Sequence, residues 1–251
     1  MNGILKISLV VLSLFATVQD RSDIPVKGYK LVWNDEFDGE NLDLKKWNHR
    51  GLGKRDEAYI TKDAVSLDGD GHLIIEASIQ GDSIHTGMIS TENTYHLKYG
   101  YLECRAKLMP IRGTMAAFWL QSPKINNTSG EPATNGVELD IFEYFPHLNT
   151  QYVYHTLHYG GYGSSHKIAG PVLGLLSGST DEFHTFGLEW TKNSYTTYVD
   201  GKKTYSGDIL ISQIPEFIIL SLGINSLAAG PLDMAKLPCK FVIDYVRVYK
   251  R

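Results

Sequence analysis

Cysteine is nearly absent. Cys104 and Cys239 are the only two in 251 residues, and neither sits in a Cys-x-x-Cys pair or beside a histidine. That excludes a zinc ribbon, a thioredoxin-type redox motif and a multi-disulfide scaffold, and leaves open whether the two form one bridge or stay thiols. Excess positive charge is missing as well. Lys plus Arg number 24 against 28 Asp plus Glu, a net charge of −4, so there is no basic footprint for nucleic acid. No apolar run approaches the roughly 20 residues that cross a bilayer. The chain also lacks an internal repeat, a low-complexity linker and any amphipathic helical pattern longer than about three turns. The longest apolar run, Ile7 to Phe15 after Lys6, reads as the core of a secretory signal over residues 1–20, with cleavage between Ala16 and Asp20. A buried N-terminal strand is the alternative. No cysteine follows the run, so no lipid anchor is expected. Residues 21–251 then form one secreted or periplasmic domain, expected to be a monomer.

What the chain does have is short β-runs separated by Gly, Asn and Asp turns. Tyr29 to Trp33, Leu73 to Ser78, Tyr101 to Leu108, Ala116 to Leu120 and Val153 to Tyr159 are predicted strands. So are His184 to Trp190, Thr196 to Val199, Phe217 to Leu222 and Phe241 to Tyr249. Several alternate polar and apolar residues with period two, as Glu103-Cys104-Arg105-Ala106-Lys107-Leu108 does. Asp200-Gly201, between two such runs, signals a tight hairpin. Many strands at regular spacing predict an all-β sandwich of two antiparallel sheets. Segments 49–60, 121–137 and 160–182 read as long irregular pieces, of the kind that frame a site in a sandwich.

One strand carries chemistry. Glu138-Leu139-Asp140-Ile141-Phe142-Glu143-Tyr144 places three carboxylates in an apolar run, where isolated acids are costly unless paired or used. In a regular strand Glu138 and Asp140 share a face and Glu143 points to the other. One extra residue near Ile141 or Phe142, a β-bulge, brings Glu143 round to join them. Two carboxyl groups about 5–5.5 Å apart are what a retaining glycosidase uses. An edge strand with solvated acids accounts for the spacing equally well. Tyrosine (15) and tryptophan (4) recur beside polar residues in the strands, as flat platforms for sugar rings would, although most must fill the core.

Further blocks stand in a fixed order around the acid strand. They include Leu31-Val32-Trp33-Asn34-Asp35-Glu36-Phe37, Thr86-Gly87-Met88-Ile89-Ser90-Thr91, Tyr99-Gly100-Tyr101-Leu102-Glu103, Phe118-Trp119-Leu120, Phe183-His184-Thr185-Phe186-Gly187-Leu188-Glu189-Trp190 and Ile243-Asp244-Tyr245-Val246-Arg247-Val248-Tyr249. With the Glu-x-Asp-x-x-Glu strand, this series resembles glycoside hydrolase family 16 over residues 29–250. The resemblance implies a β-jelly-roll with a concave substrate cleft. It implies Glu138 as nucleophile, Asp140 as its electrostatic helper and Glu143 as general acid/base. It also implies Trp119 as a stacking platform and His158 as a cleft-lining histidine, with His155 a weaker candidate. No cofactor is required for the chemistry. A structural calcium ion is expected from the resemblance alone, with Asp244 as a ligand and Glu36 assisting.

The bulged motif separates this chain from the unbulged Glu-x-Asp-x-Glu branch. Where the resembled β-1,3-glucanases have Trp-Pro-Ala, this chain has Met115-Ala116-Ala117, and Gly223 to Gly230 replaces a tryptophan-bearing loop. Small residues there leave room for an axial hydroxyl, which points to an endo-β-galactosidase acting on mucin-type O-glycans or poly-N-acetyllactosamine and keratan-like chains. An endo-β-1,3-glucanase, an agar- or porphyran-type galactanase and a non-catalytic carbohydrate-binding module are the alternatives. Lys54, Arg55 and Arg112 are the candidates for contacting sulfate.

Overall fold

The computed structural model describes residues 24–126 and 131–251. The predicted signal segment lies outside them. Two sheets carry the fold as a β-jelly-roll sandwich. Hydrogen-bonded neighbours in the eight-stranded sheet run Lys167–Leu175, Tyr152–Tyr159, Glu138–Tyr144, Thr114–Gln121, Glu216–Ile224, Met88–Ser90 and Asn48–His49, with His96–Leu97 added beside Glu216–Ile224. The eleven-stranded sheet centres on Gly100–Lys107, Cys239–Lys250 and His184–Trp190. Pairing is antiparallel throughout the described strands except where Ala58–Ile60 lies parallel to Ser83–Thr86.

All nine predicted strands are present. The hairpin forms at Asp200 and Gly201, both at positive φ (50° and 70°), the backbone that a two-residue turn needs to match the strand twist. Two of the segments read as irregular are not wholly so. Gly53–Arg55 and Ala58–Ile60 are short strands, and Lys167–Leu175 is a nine-residue edge strand. The edge strand escapes a periodicity search because Gly170, Pro171 and Gly174 interrupt it and most of its side chains are exposed.

The core lies between the sheets and gathers Trp47, Leu73, Ile75, Leu102, Phe118, Phe142, Phe186, Trp190 and Phe241. Phe142 joins the layers, its ring 4.1 Å from that of Phe186 on the opposite sheet. Cys104 and Cys239 are both buried free cysteines. Among the described residues no helix is long and apolar enough to cross a membrane.

Candidate active site

Along the acid strand, Leu139, Ile141, Phe142 and Tyr144 all belong to the buried core. Two consecutive inward residues, Ile141 and Phe142, break the period-two alternation. The register shows why. On one flank Trp119 pairs with Asp140 and Phe118 with Phe142, and on the other Thr156 pairs with Asp140 and Tyr154 with Glu143. Ile141 is therefore an extra residue, a β-bulge at the predicted place. It puts Glu138, Asp140 and Glu143 on one face, each in its own cross-strand row. Glu138 stands between Gln121 and His158, Asp140 between Trp119 and Thr156, and Glu143 between Ala117 and Tyr154.

The two glutamates have different surroundings. Glu138 Oε2 accepts hydrogen bonds from Gln121 Nε2 at 3.1 Å and from the Tyr162 hydroxyl. Arg50 donates to Gln121 Oε1 at 2.6 Å, which fixes the amide so that its NH2 end faces Glu138. Donors aimed at a carboxylate favour its charged form. Glu143 has one weak partner, the Thr156 hydroxyl at 3.3 Å. Burial, then the Asp140 charge, pushes its carboxyl up to about 9, with His158 pulling the other way. Asp140 is 4% exposed, and burial followed by the Glu138 charge holds it well above the usual carboxylate range. Its Oδ2 has no directional hydrogen-bond partner among the described residues, although His158 Nε2 stands 3.3 Å away. One face of this strand thus carries an acid kept protonated near neutrality, Glu143, and a carboxylate, Glu138, held by two hydrogen-bond donors.

His158 joins the cluster. Its Nε2 lies 3.9 Å from Glu138 Oε1, and its Nδ1 meets His166 Nε2 at 2.9 Å with the rings stacked. Trp119 lies on the acid face but is only 6% exposed. It packs with Ile60, Met88, Ala117, Phe217 and Ile219 in a second apolar cluster, and its Nε1 donates to Ser221 Oγ at 3.1 Å. The indole thus floors the face beside Asp140 and offers little free ring surface. His155 faces inward, 5% exposed, between the sheets.

Asp244 lies away from the acid row, ion-paired with Arg105, and Glu36 is held by both Arg247 nitrogens, at 2.9 and 2.7 Å, and by Asn34. Calcium is held by six to eight oxygens, typically several carboxylates. Here each carboxylate already faces a guanidinium, so this arrangement does not fit a calcium ion. The described His, Cys, Asp and Glu side chains that do converge are Glu138, Asp140 and His158. Arg55 lines a small surface hollow with Met88, Met115, Ser221 and Gly223, one strand beyond Ala117 and Glu143.

Sequence reasoning missed Gln121, Tyr162 and His166. Gln121 was within reach, two positions beyond Trp119 and so on its face. Tyr162 and His166 sit in the turn between Tyr152–Tyr159 and Lys167–Leu175. Gly160 shapes that turn at φ +78°, where an added Cβ would stand 2.4 Å from Ser165 O.

Residues 53–247 match Glycosyl hydrolases family 16. The beta-glucanase of Rhodothermus marinus is 30% identical over 92% of this chain and 88% of its own length. The keratan-sulfate endo-1,4-beta-galactosidase of Sphingobacterium multivorum is 26% identical over 88% of this chain, which spans 55% of that protein. The chain spans 39% of the glucan endo-1,3-beta-glucosidase A1 of Niallia circulans, at 27% identity. Among solved structures, the laminarinase catalytic domain of Thermotoga maritima superposes with a TM-score of 0.74 at 27% identity, covering 90% of this chain and 99% of that one. A structure reported with endo-acting O-glycanases that initiate mucin breakdown in the human gut microbiota gives 0.74 at 28%, covering 89% and 91%. The fold is shared with these glycanase structures over most of its length, and the chain belongs to glycosyl hydrolases family 16.

Proposed function

We propose that the protein is a secreted retaining endo-β-glycosidase that cuts internal β-galactosidic linkages, with mucin-type O-glycans or poly-N-acetyllactosamine and keratan-like chains as substrates. The observation that carries the catalytic part is the bulge at Ile141, which puts Glu138 and Glu143 on one face with different hydrogen-bond surroundings. Glu138, held by Tyr162 and Gln121, attacks the anomeric carbon through its carboxylate to form a glycosyl–enzyme ester. Glu143, protonated at the start, gives its proton to the leaving glycosidic oxygen. It then takes one from the water that hydrolyses the ester. Asp140, set between them, spreads the charge change over both steps. No cofactor enters.

Galactose is favoured by what surrounds Glu143. Ala117 and Ser221 are its successive neighbours across the sheet, and Met115 and Gly223 follow at the edge of the hollow. On that flank none of these described neighbours is a large ring that would require a flat equatorial sugar face; Tyr154 stands on the other flank. The likenesses to a keratan-sulfate galactosidase and to the O-glycanase structure agree with this reading. A second reading, endo-β-1,3-glucanase, is favoured by the likenesses to the Rhodothermus beta-glucanase and the Thermotoga laminarinase.

A depolymerisation screen of laminarin, agarose, keratan sulfate and mucin O-glycans separates the two. Oligosaccharides from the galactose-containing chains are expected, and release from laminarin alone refutes the galactosidic assignment. Glu138→Ala and Glu143→Gln should each abolish turnover in a folded protein, and early-time NMR should show a β-configured product.

A further inference from the structure

The acid strand is a device for turning Glu143, and its bulge is held at one atom. The ladder pairs skip Ile141 on both flanks, leaving Ile141 and Phe142 opposite His155 alone. A buried backbone carbonyl outside the ladder needs another donor. His155 supplies it, with Nδ1 2.5 Å from the Ile141 carbonyl oxygen. Because a carbonyl only accepts, Nδ1 carries the hydrogen. The imidazole is neutral, burial having pushed its pKa down to about 4. Nε2 is then an acceptor, and it meets the Thr204 hydroxyl of the opposite sheet at 3.0 Å. Thr204 in turn accepts from Thr197 at 2.8 Å. The chain of bonds therefore has one direction, from Thr197 through Thr204 and His155 to the bulge. Space for the ring is provided at Gly174, where an added Cβ would stand 2.7 Å from Nε2.

We propose that His155 is a positioning residue for the proton donor: its imidazole ties the extra residue of the bulge to the opposite sheet and so fixes the direction in which Glu143 projects. His155 itself faces the core and does not reach the acid face. The bond it makes is two residues from Glu143, on the residue whose insertion reverses that side chain. A displacement of about 1 Å at a reacting group costs on the order of 100-fold in rate, so loosening this tie should be felt in kcat. The inference rests on the glycosidase reading, and its test keeps the two apart.

The test compares amides that mimic one ring nitrogen each. In His155→Asn the side-chain NH2 occupies the Nδ1 position and keeps the Ile141 bond. In His155→Gln the amide reaches the Nε2 position, where its carbonyl oxygen can accept from the Thr204 hydroxyl, and the Ile141 bond is lost. On whichever glycan the wild type cleaves, His155→Asn should retain kcat within about threefold, while His155→Gln and His155→Leu fall about 10- to 100-fold with KM nearly unchanged. The Glu143 titration, followed by carboxyl carbon NMR without any substrate, should move in His155→Gln and stay in His155→Asn. A merely structural histidine would order the variants by melting temperature and leave that titration alone. Wild-type kcat and an unmoved Glu143 titration in His155→Gln, or equal impairment of the two amides, overturns the proposal. If His155→Leu does not fold, the amide pair still decides. Because the NMR arm needs no turnover, a wild type inactive on every glycan would count against the glycosidase reading and leave this inference to that arm.

Discussion

Replacing Asp140 by asparagine should shift the alkaline limb of kcat/KM to lower pH. The limb reports loss of the proton from Glu143, whose carboxyl is pushed up to about 9 by burial and then by the Asp140 charge. The amide keeps the shape of the carboxylate and removes its charge. With the bulge residue turned inward, Asp140 and Glu143 are successive residues on their face, so their carboxyl groups lie about 6–7 Å apart by strand geometry. At that distance and an effective dielectric of about 20, full charge–charge repulsion is about 2.5 kcal/mol. That sets a ceiling just under about 2 pH units. Asp140 is itself held protonated over part of the range by burial and by Glu138, so only part of the repulsion is expressed, and the limb should fall by about 1 unit. The assay is a normalised pH profile of kcat/KM, which separates the limb from the lower maximum expected when the helper of Glu138 is lost. A limb that stays put, or rises, refutes the reasoning. It would mean that Asp140 acts on Glu143 as a neutral hydrogen-bonding group.

Asp140→Asn should also change stability in a pH-dependent way. A carboxyl raised in the folded state contributes stability below the ordinary carboxylate range and loses it as pH rises toward its folded value. The melting-temperature gain of the variant over wild type should therefore grow between pH 4 and pH 8, and a gain that shrinks counts against the buried, raised Asp140. Tyr162→Phe removes a donor to Glu138, which should lower kcat by about 10-fold, the value of a charge-assisted hydrogen bond of about 1.5 kcal/mol. Unchanged kcat would place the phenol outside the working site. Asp200→Asn breaks the link that ties the hairpin turn to His184 at 3.0 Å and to the Ser177 and Thr185 amides. The His184 bond raises the imidazole. At Asp200 burial is the largest single effect and raises the carboxyl, but the His184 bond and charge together with the Ser177 and Thr185 amides outweigh it and lower the carboxyl. The carboxyl's contribution vanishes as pH falls through its lowered value, and the imidazole's as pH rises through its raised one. The loss of about 1–3 kcal/mol in urea unfolding should thus be largest near pH 5–6 and smaller at pH 9.

How far the sequence reached depended on the distance over which each feature is decided. The bulge was legible because it is written locally: two adjacent apolar residues, Ile141 and Phe142, interrupt an alternation that the acids otherwise keep. The hairpin at Asp200-Gly201 was legible for the same reason. Trp119 was named as a stacking platform on the resemblance, but its cover comes from Ile60 and Met88, and nothing local to Trp119 announces them. Asp244 and Glu36 went the same way. Their arginine partners, Arg105 and Arg247, reach them across neighbouring strands of the eleven-stranded sheet, and only the strand order brings these charges together. Tyr162 sits in a turn with no periodicity to follow, and its role depends on Gly160 folding that turn back over Glu138.

The acid strand has opposite requirements on its two faces, and the bulge reconciles them. Its outer face buries Asp140 and Glu143 at an electrostatic cost visible in their raised titrations. Its inner face places Leu139, Ile141, Phe142 and Tyr144 in the core, each stabilising by about 1.5–3 kcal/mol. Were the same sequence a regular strand with Ile141 in the ladder, Phe142 would turn outward and Glu143 would enter the layer occupied by Phe186 and Phe241. Losing the bulge would thus cost the core an aromatic ring as well as removing the proton donor. Packing therefore defends the geometry of catalysis, and change in this strand is expensive. The residues beside it that lie outside this core are Met115, Ala117, Ser221 and Gly223, together with the turn that carries Tyr162. On the function proposed above, selectivity among β-linked glycans is set there, because the acid strand is constrained on both faces.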